Sequence, residues 1–480
     1  MNNTQIPLND LEPFIAMLDQ FKRKDLAKEV LNVFGKHSAY YDQYDNLAKC
    51  FFKLKMYEDS IVYAEKTVAV SGSSQQQFTS RFNLINVYNH ANYPEKAMRY
   101  INQCLTIDPN NIDVILEKAY SLFLLNKKSQ AEEILQNTLD NCAELSDEYK
   151  TKIRFNLGTY YLYKDKFQEG LKLFLEEGVK MRFWNTESIF SRNNNIFSEN
   201  KNLHYETMNQ KIRAEKFIKW DGKVKPNMPI IIHAEAGIGD EIINFRFMEK
   251  IRNMGMIPYW YNSYNERKDL LDVFKRHGYN VITSIEEVKG DKIYYAQSMH
   301  LPIIMNLQYK DLWNGPYLKA KNESIEKWKF LKKDKPAIGI RWQGNPAYDH
   351  DLHRSFPLQQ LLKIFSGKSV DLYSLQKDNG LEEIDSKIID LSDKLETWDD
   401  TLGCIHNLDF VITSCTSVAH ACAAMDKKTY ILLPISAYYV WSHSSEKSPW
   451  YGENVTLLRQ QKPRVWDEPI EELKNLLSDF

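Results

Sequence analysis

PIIIHAEAGIGDEIINFRFMEKIRNMG, residues 229–255, reads as a strand, a glycine-bearing turn and a helix in direct succession. A near-continuous apolar run such as Ile230–Ile232 marks a strand buried on both faces of a parallel sheet, and the turn at its carboxyl end faces the ligand crevice of such sheets. Gly237 and Gly239 free the backbone in that turn. The alternation continues downstream with MIPYWYNS (256–263), a helical stretch near Arg267 to His277, YNVITS (279–284) and KIYYAQ (292–297), which together make one Rossmann-like unit. A second unit opens at PAIGIRWQGNP (336–346), continues through SVDLYSLQ (369–376) and closes with LDFVITSCTSVAHACAAMDKKTYILLP (408–434). Between them NGPYLKA (314–320) reads as the crossover, and the last helix, Pro469 to Phe480, is expected to pack back onto the first unit.

Upstream the texture is helical and periodic. LINVYNHANYPEKAMRYINQCLTIDP (84–109) carries apolar or small residues at Leu84, Ile85, Tyr88, Ala97, Ile101 and Cys104, with Pro109 closing its second helix. Ala131, Leu135 and Thr138 stand in the slots of Ala97, Ile101 and Cys104 one repeat later, at the 34-residue period of tetratricopeptide repeats. Ser60, Ala64 and Thr67 fill the same slots upstream, and Leu157, Gly158, Tyr161, Gly170 and Phe174 fill them downstream after a longer connection. A degenerate fifth unit is expected around Leu18 to Phe34, with Ala27 in the small-residue slot. Each helix pair cannot bury its apolar face alone, so stacking builds an α-solenoid with a concave surface suited to peptides or proteins. After Trp184 the polar, Asn-rich SIFSRNNNIFSENKN reads as a connector, followed by a short helix before Trp220.

Bulk composition narrows the function classes. With 62 Lys+Arg against 64 Asp+Glu the net charge is -2, so no global basic field recruits nucleic acid or an anionic membrane. No run approaches the ~18 apolar residues of a membrane span, and the N-terminus lacks the basic and apolar regions of a signal peptide. The six cysteines have no C-x-x-C spacing and read as reduced thiols, so the expected compartment is the cytoplasm.

Six short motifs occur in a telling order: GIGDE (237–241), WQGNP (342–346), RSFPL (354–358), SLQK (374–377), TSVAH (416–420) and SPWY (448–451). In that order they resemble tetratricopeptide proteins whose C-terminal half is similar to the heptosyltransferases of lipopolysaccharide synthesis, and more distantly to O-linked N-acetylglucosamine transferases. The resemblance covers residue 228 to the end. It implies a GT-B architecture: an α-solenoid over 1–185, a connector over 186–227, an acceptor-side Rossmann-like domain over 228–325 and a nucleotide-sugar-binding one over 326–480. The fold class is thus multidomain, α followed by α/β.

The candidate site residues sit at the turns after the predicted strands. In the resembled family the acidic residue of the Gly-Asp turn is proposed as general base, which here is Asp240; the same Asp is also among the best helix caps. Glu235, Glu241 and His233 are further candidates nearby. Arg354 matches a basic residue that contacts the donor diphosphate or its sugar, where a fixed guanidinium stabilises the leaving group without a metal. Ser414, Thr416 and Ser417 lie at a helix start, where free N–H groups and the positive dipole end suit a diphosphate. His420 follows Thr416 by one turn. Gln343, Gly344 and Asn345 after one strand, Ser374, Gln376 and Lys377 after another, and Gly237 and Gly239 in the first turn complete the expected donor-binding set. The family often has Asp where this chain has Cys415, so one carboxylate contact is missing.

Trp441, Trp450 and Tyr451 read as core aromatics more readily than as ligand stackers. Asp349-His350-Asp351 mimics a D-x-D metal motif but reads better as a polar loop, so no metal and no cofactor beyond the nucleotide-sugar donor is expected. The leading function is transfer of a sugar from a nucleotide-diphosphate donor to a protein, peptide or glycan acceptor held by the repeats, metal-independent and, by family analogy, inverting. The alternative is a non-catalytic repeat scaffold with a degenerate glycosyltransferase-like domain, and a sugar-nucleotide epimerase ranks last because it leaves the repeats unexplained.

Overall fold

The computed structural model describes residues 8–478 apart from 22, 143, 185–215, 263–266, 347, 378 and 442–444. The Asn-rich connector and the short helix expected before Trp220 fall on 185–215, outside the described residues. The chain divides into two compact units, one built on Met1–Ile153 and one joining Arg154–Trp184 to the α/β region that follows.

Ten helices come first: α1 (Leu8–Gln20), α2 (Lys24–His37), α3 (Tyr41–Lys53), α4 (Tyr57–Val70), α5 (Ser74–His90), α6 (Pro94–Ile107), α7 (Ile112–Leu124), α8 (Lys128–Asn141), α9 (Asp147–Tyr163) and α10 (Phe167–Trp184). The small-residue slots are the contact face of every second helix. Ala27, Ser60, Ala97, Ile101, Cys104, Ala131 and Leu135 are all fully buried. A second mark of the repeat is in the backbone. Lys55, Asn92, Asn126 and Asp165, in the turns α3–α4, α5–α6, α7–α8 and α9–α10, have φ of 62°, 61°, 60° and 58°. Asn and Asp tolerate this left-handed conformation better than most residues, so the turns keep the phase that the buried slots set. Where α9 crosses α10 the backbones touch: a β-carbon on Gly158 would lie 2.9 Å from the carbonyl oxygen of Gly170.

The α/β region holds two parallel sheets. The first has β1 (Phe217–Lys219), β2 (Pro229–His233), β3 (Ile257–Tyr261), β4 (Asn280–Ile282) and β5 (Ile293–Gln297) in the order β1-β5-β2-β3-β4. The second has β6 (Ala337–Arg341), β7 (Asp371–Ser374), β8 (Ile389–Asp390), β9 (Phe410–Ser414), β10 (Thr429–Leu433) and β11 (Val455–Arg459) in the order β11-β10-β9-β6-β7-β8. Every ladder within these sheets is parallel, as the apolar runs require. In each sheet the chain reverses its direction of travel beside the first long strand, β2 or β6, and ligands of open parallel sheets bind at the carboxyl ends of strands at such switch points. The helix after β2 (Ile238–Phe245) packs against the helix after β9 (Ser417–Ala424), so both switch points open onto one crevice.

One hydrophobic core runs through both sheets and takes in Leu162, Phe167, Leu171 and Leu175 of α9 and α10 together with Ile230, Ile232, Ala419 and Val440. The C-terminal helix corrects an expectation. It spans Asp467–Leu476, and its Ile470 and Leu473 pack with Leu432 and Leu458 of the second sheet rather than with the first unit. The chain leaves β11 at that sheet's edge, and the stripe Trp466, Ile470, Leu473 covers the nearest apolar face.

The four core residues of α9 and α10 set a limit on truncation. Burying each is worth roughly 1.5–3 kcal/mol, so together they contribute about 6–12 kcal/mol, comparable with the ~5–15 kcal/mol total stability of a native protein. A chain starting at Asp147 is expected to unfold cooperatively on heating, and one starting at Lys216 to aggregate. Equal thermal unfolding of the two would show that α9 and α10 are dispensable.

Candidate active site

On the first sheet's side, the turn after β2 carries Ala236 with φ of 60°, a left-handed conformation unusual for a residue with a side chain, and then Gly237. The bend aims the next helix at the crevice. Its Asp240 carboxylate is fixed at both oxygens: Oδ2 accepts from the Gly237 N–H at 2.9 Å and Oδ1 accepts from the Tyr438 hydroxyl. Asp240 is not the N-cap of this helix, which starts at Ile238 with Gly237 as its cap; from the third helical position the carboxylate bonds back to the Gly237 N–H, and that engages only one oxygen. Burial pushes the Asp240 carboxyl above its ordinary range, opposed by the Tyr438 and Gly237 hydrogen bonds and by the charge of Arg267. The neighbouring acids are otherwise occupied. Glu241 is fully buried, ion-paired to Arg267 and bonded by Asn262 Nδ2 at 2.8 Å, while Arg267 Nη2 donates to the Ala236 carbonyl at 2.8 Å and so braces the strained turn. Glu235 accepts from the Met299 N–H at 3.3 Å, and His233 stacks on Tyr261 at 5.4 Å.

On the second sheet's side, Arg354 is held on three counts. Its Nε donates to Asp351 at 2.8 Å, its Nη1 donates to the Cys415 carbonyl at 2.9 Å, and its guanidinium lies 4.6 Å from the ring centre of Tyr348. Gly344 is bare because a β-carbon there would sit 2.2 Å from Arg354 Nη2. Tyr348 lies within electrostatic reach of both Arg354 and Asp240. Thr416 caps the Ser417–Ala424 helix without a side-chain cap bond. The Ser414 and Thr416 hydroxyls and Gln376 Nε2 are buried and unpartnered among the described residues, at the carboxyl ends of β9 and β7. Such groups cost about 1–3 kcal/mol each when left unsatisfied, and they persist where a ligand satisfies them.

Not every expected residue converges. Lys377 is exposed and donates to the Glu396 carbonyl at 3.3 Å, and Asn345 is exposed on its loop. Gln343 acts as a brace, its N–H on Gln376 Oε1 at 3.2 Å and its amide on Glu383, while Ser374 Oγ accepts from the Gln376 N–H at 3.2 Å. In the D-x-D stretch, Asp351 is taken up by Arg354 and Ser355. Burial pushes the Cys415 thiol up, opposed by the neighbouring Arg354 charge.

His420 meets the start of the Ile238–Phe245 helix directly. A β-carbon on Gly239 would lie 3.1 Å from His420 Cδ2, so the absence of a side chain at Gly239 is what lets the two helix starts meet. The imidazole stacks on Trp441 at 4.9 Å and 10°, and its Nδ1 lies 2.9 Å from the Tyr451 hydroxyl. Sequence reasoning missed Tyr438, Tyr348 and Arg267. Tyr438 lies in the loop after β10, 198 residues from Asp240, and no spacing rule links the two. The same loop is anchored by Tyr163 of α9, whose hydroxyl donates to the Ile435 carbonyl at 2.8 Å.

No protein-family profile matches the sequence, and no curated protein sequence matches it. Among solved structures the chain is similar to ADP-heptose lipopolysaccharide heptosyltransferase II of E. coli, at 13% identity over 52% of this chain and 99% of that one, with a TM-score of 0.36. It is also similar to YrrB, a tetratricopeptide-repeat protein described as having an unusual peptide-binding site, at 14% identity over 41% of this chain and 90% of that one, with a TM-score of 0.25. A mutant O-GlcNAc transferase of Thermobaculum terrenum aligns at 10% identity over 89% of this chain and 88% of that one, with a TM-score of 0.29. The fold is read from its own helix pairs and strand orders, as given above.

Two substitutions test the geometry. The Tyr438 hydroxyl donates to the Asp240 carboxylate and favours its charged form, so Tyr438→Phe is expected to raise the Asp240 pKa. Carboxyl-carbon NMR titration of the two proteins checks this; an unchanged midpoint would mean that Tyr438 does not hold the carboxylate. Gly239→Ala inserts a methyl against an imidazole that is pinned on its other side, and overpacking of this kind costs about 1–3 kcal/mol. Chemical denaturation should show that loss, and a stability equal to wild type would mean that the helix starts can part freely.

Proposed function

We propose that this protein transfers a sugar from a nucleotide-diphosphate donor to an acceptor hydroxyl. One observation carries the reading: the buried hydroxyls of Ser414 and Thr416, unpartnered among the described residues, lie at the start of the Ser417–Ala424 helix beside the immobilised Arg354, where that helix start meets the Gly239–Asp240 turn. The helix start and guanidinium offer fixed positive charge to a diphosphate, and the carboxylate opposite offers a base to an acceptor.

In this mechanism Asp240 takes the proton from the acceptor hydroxyl as that oxygen bonds to the anomeric carbon. The bond from that carbon to the diphosphate oxygen breaks, and the departing electron pair becomes negative charge facing Arg354 and the N–H groups of the helix start. One displacement of this kind inverts the anomeric centre. Arg354 and the helix supply the charge stabilisation, so the reaction as proposed draws on no metal. The acceptor, a protein, peptide or glycan, is presented by the repeat array.

Calorimetric titration of UDP, GDP, ADP, CDP and dTDP into wild type and Arg354→Ala tests the reading. One nucleotide is expected to bind wild type and to lose at least about tenfold in affinity in the variant, the ~1.4 kcal/mol that a weak charge-assisted contact provides. Absence of binding by all five would leave the non-catalytic scaffold as the better account.

A further inference from the structure

The turn between α9 and α10 reaches loops of both sheets. Tyr163, the last residue of α9, is buried, and its single hydroxyl proton is shared between the Ile435 carbonyl at 2.8 Å and the Ala437 carbonyl at 3.3 Å. Both acceptors belong to the loop after β10. Five residues on, Gln168 of α10 donates from Nε2 to the Pro302 carbonyl at 3.1 Å and to the Leu307 carbonyl, in the segment after β5. Phe167 beside it packs on Tyr309 of that segment at 4.6 Å. Tyr163 therefore works from a base fixed to the first sheet's side, and it does not simply follow the loop that it holds.

What the hydroxyl holds is the root of Tyr438. The Ala437 carbonyl and the Tyr438 N–H lie in one rigid peptide plane, so a donor on that carbonyl sets the direction in which the Tyr438 side chain leaves the backbone. Tyr438 in turn donates to Asp240 Oδ1. A second contact steadies the same place: Phe174 of α10 lies 5.7 Å from Tyr439, whose ring meets that of Tyr438 edge-on at 4.5 Å. Two residues before Tyr438, Ser436 Oγ lies 3.4 Å from Nδ1 of His353, the neighbour of Arg354. The loop thus touches the candidate base and also the short helix Asp351–Arg354 that carries the candidate cation. An irregular segment has no ladder for its carbonyls, and buried carbonyls need a donor from elsewhere. Here that donor comes from the last helix pair of the repeats.

We propose that Tyr163 is a positioning residue for Asp240: by fixing the peptide between Ala437 and Tyr438 it holds the Tyr438 hydroxyl on the carboxylate. The α9–α10 pair is then a part of the crevice's own machinery as well as the end of the array. The positioning stands on the hydrogen bonds alone, and only the role of Asp240 as a base rests on the sugar-transfer reading above.

The test is carboxyl-carbon NMR titration of the full chain as wild type, Tyr163→Phe, Tyr438→Phe and the double variant, with the Asp240 signal assigned by its loss in Asp240→Asn. Tyr163→Phe keeps the ring and removes only the hydroxyl. Its Asp240 midpoint is expected to move upward, in the direction of Tyr438→Phe and no further, because a donor that favours the charged carboxylate is loosened. In the double variant the loss of the Tyr163 hydroxyl should add nothing to the shift of Tyr438→Phe. An unchanged midpoint in Tyr163→Phe overturns the proposal. So does a further shift in the double variant, which would mean that Tyr163 reaches Asp240 by another route. A merely structural role would lower stability without this non-additive pattern. Should Tyr163→Phe fail to fold, Phe174→Leu loosens the same loop through Tyr439 and carries the same expectation and the same refutation. The expected midpoints with no nucleoside diphosphate bound by wild type would sink the sugar-transfer reading and leave the positioning role, and nucleotide binding with an unmoved midpoint would do the reverse.

Discussion

The site depends on how closely two helix starts approach each other. The helices after β2 and β9 meet at Gly239 and His420 with no side chain between them, and each brings free backbone N–H groups to that place. Two positive helix ends in contact repel, and their unsatisfied donors are costly unless something negative lies among them. The chain supplies part of the compensation itself: Asp240 takes one N–H with one oxygen and reaches across to Tyr438 with the other. On the second sheet's side the buried Ser414 and Thr416 hydroxyls have no partner among the described residues.

Much of this was legible in the sequence because it depends on local pattern. The apolar runs predicted parallel strands and the small-residue slots buried helix faces, while the turns after strands offered Ser414, Thr416 and His420 as candidates and the family resemblance offered Asp240 and Arg354. What escaped has long-range causes. Tyr438, Tyr163 and Arg267 act through partners far away in the chain, and an arginine or tyrosine carries no local sign of whether its partner is solvent, a carbonyl or a carboxylate. Lys377 shows the converse. It stands at a strand end like the others, but a long flexible cation needs nothing from the crevice and finds a surface carbonyl instead.

The boundary between binding array and α/β region is also chemical more than topological. The last helix pair keeps the repeat's turn geometry and glycine crossing, yet its apolar residues belong to the core around the sheets. Phe167 meets Trp450 edge-on at 5.8 Å and Phe174 lies 5.7 Å from Tyr439, so a repeat element supports the aromatic loops that line the crevice. A repeat motif thus marks ancestry of pattern without marking where a folding unit ends.

The burial of His420 has a consequence for how the crevice responds to acidity. On the side of the second sheet stand an arginine that is always charged, the Asp351 carboxylate bonded to it, a thiol that burial pushes up and an imidazole that burial pushes down to about 3. Burial thus favours the uncharged forms of Cys415, His420 and Asp240 alike, which leaves Arg354 as a charge that no change of acidity removes.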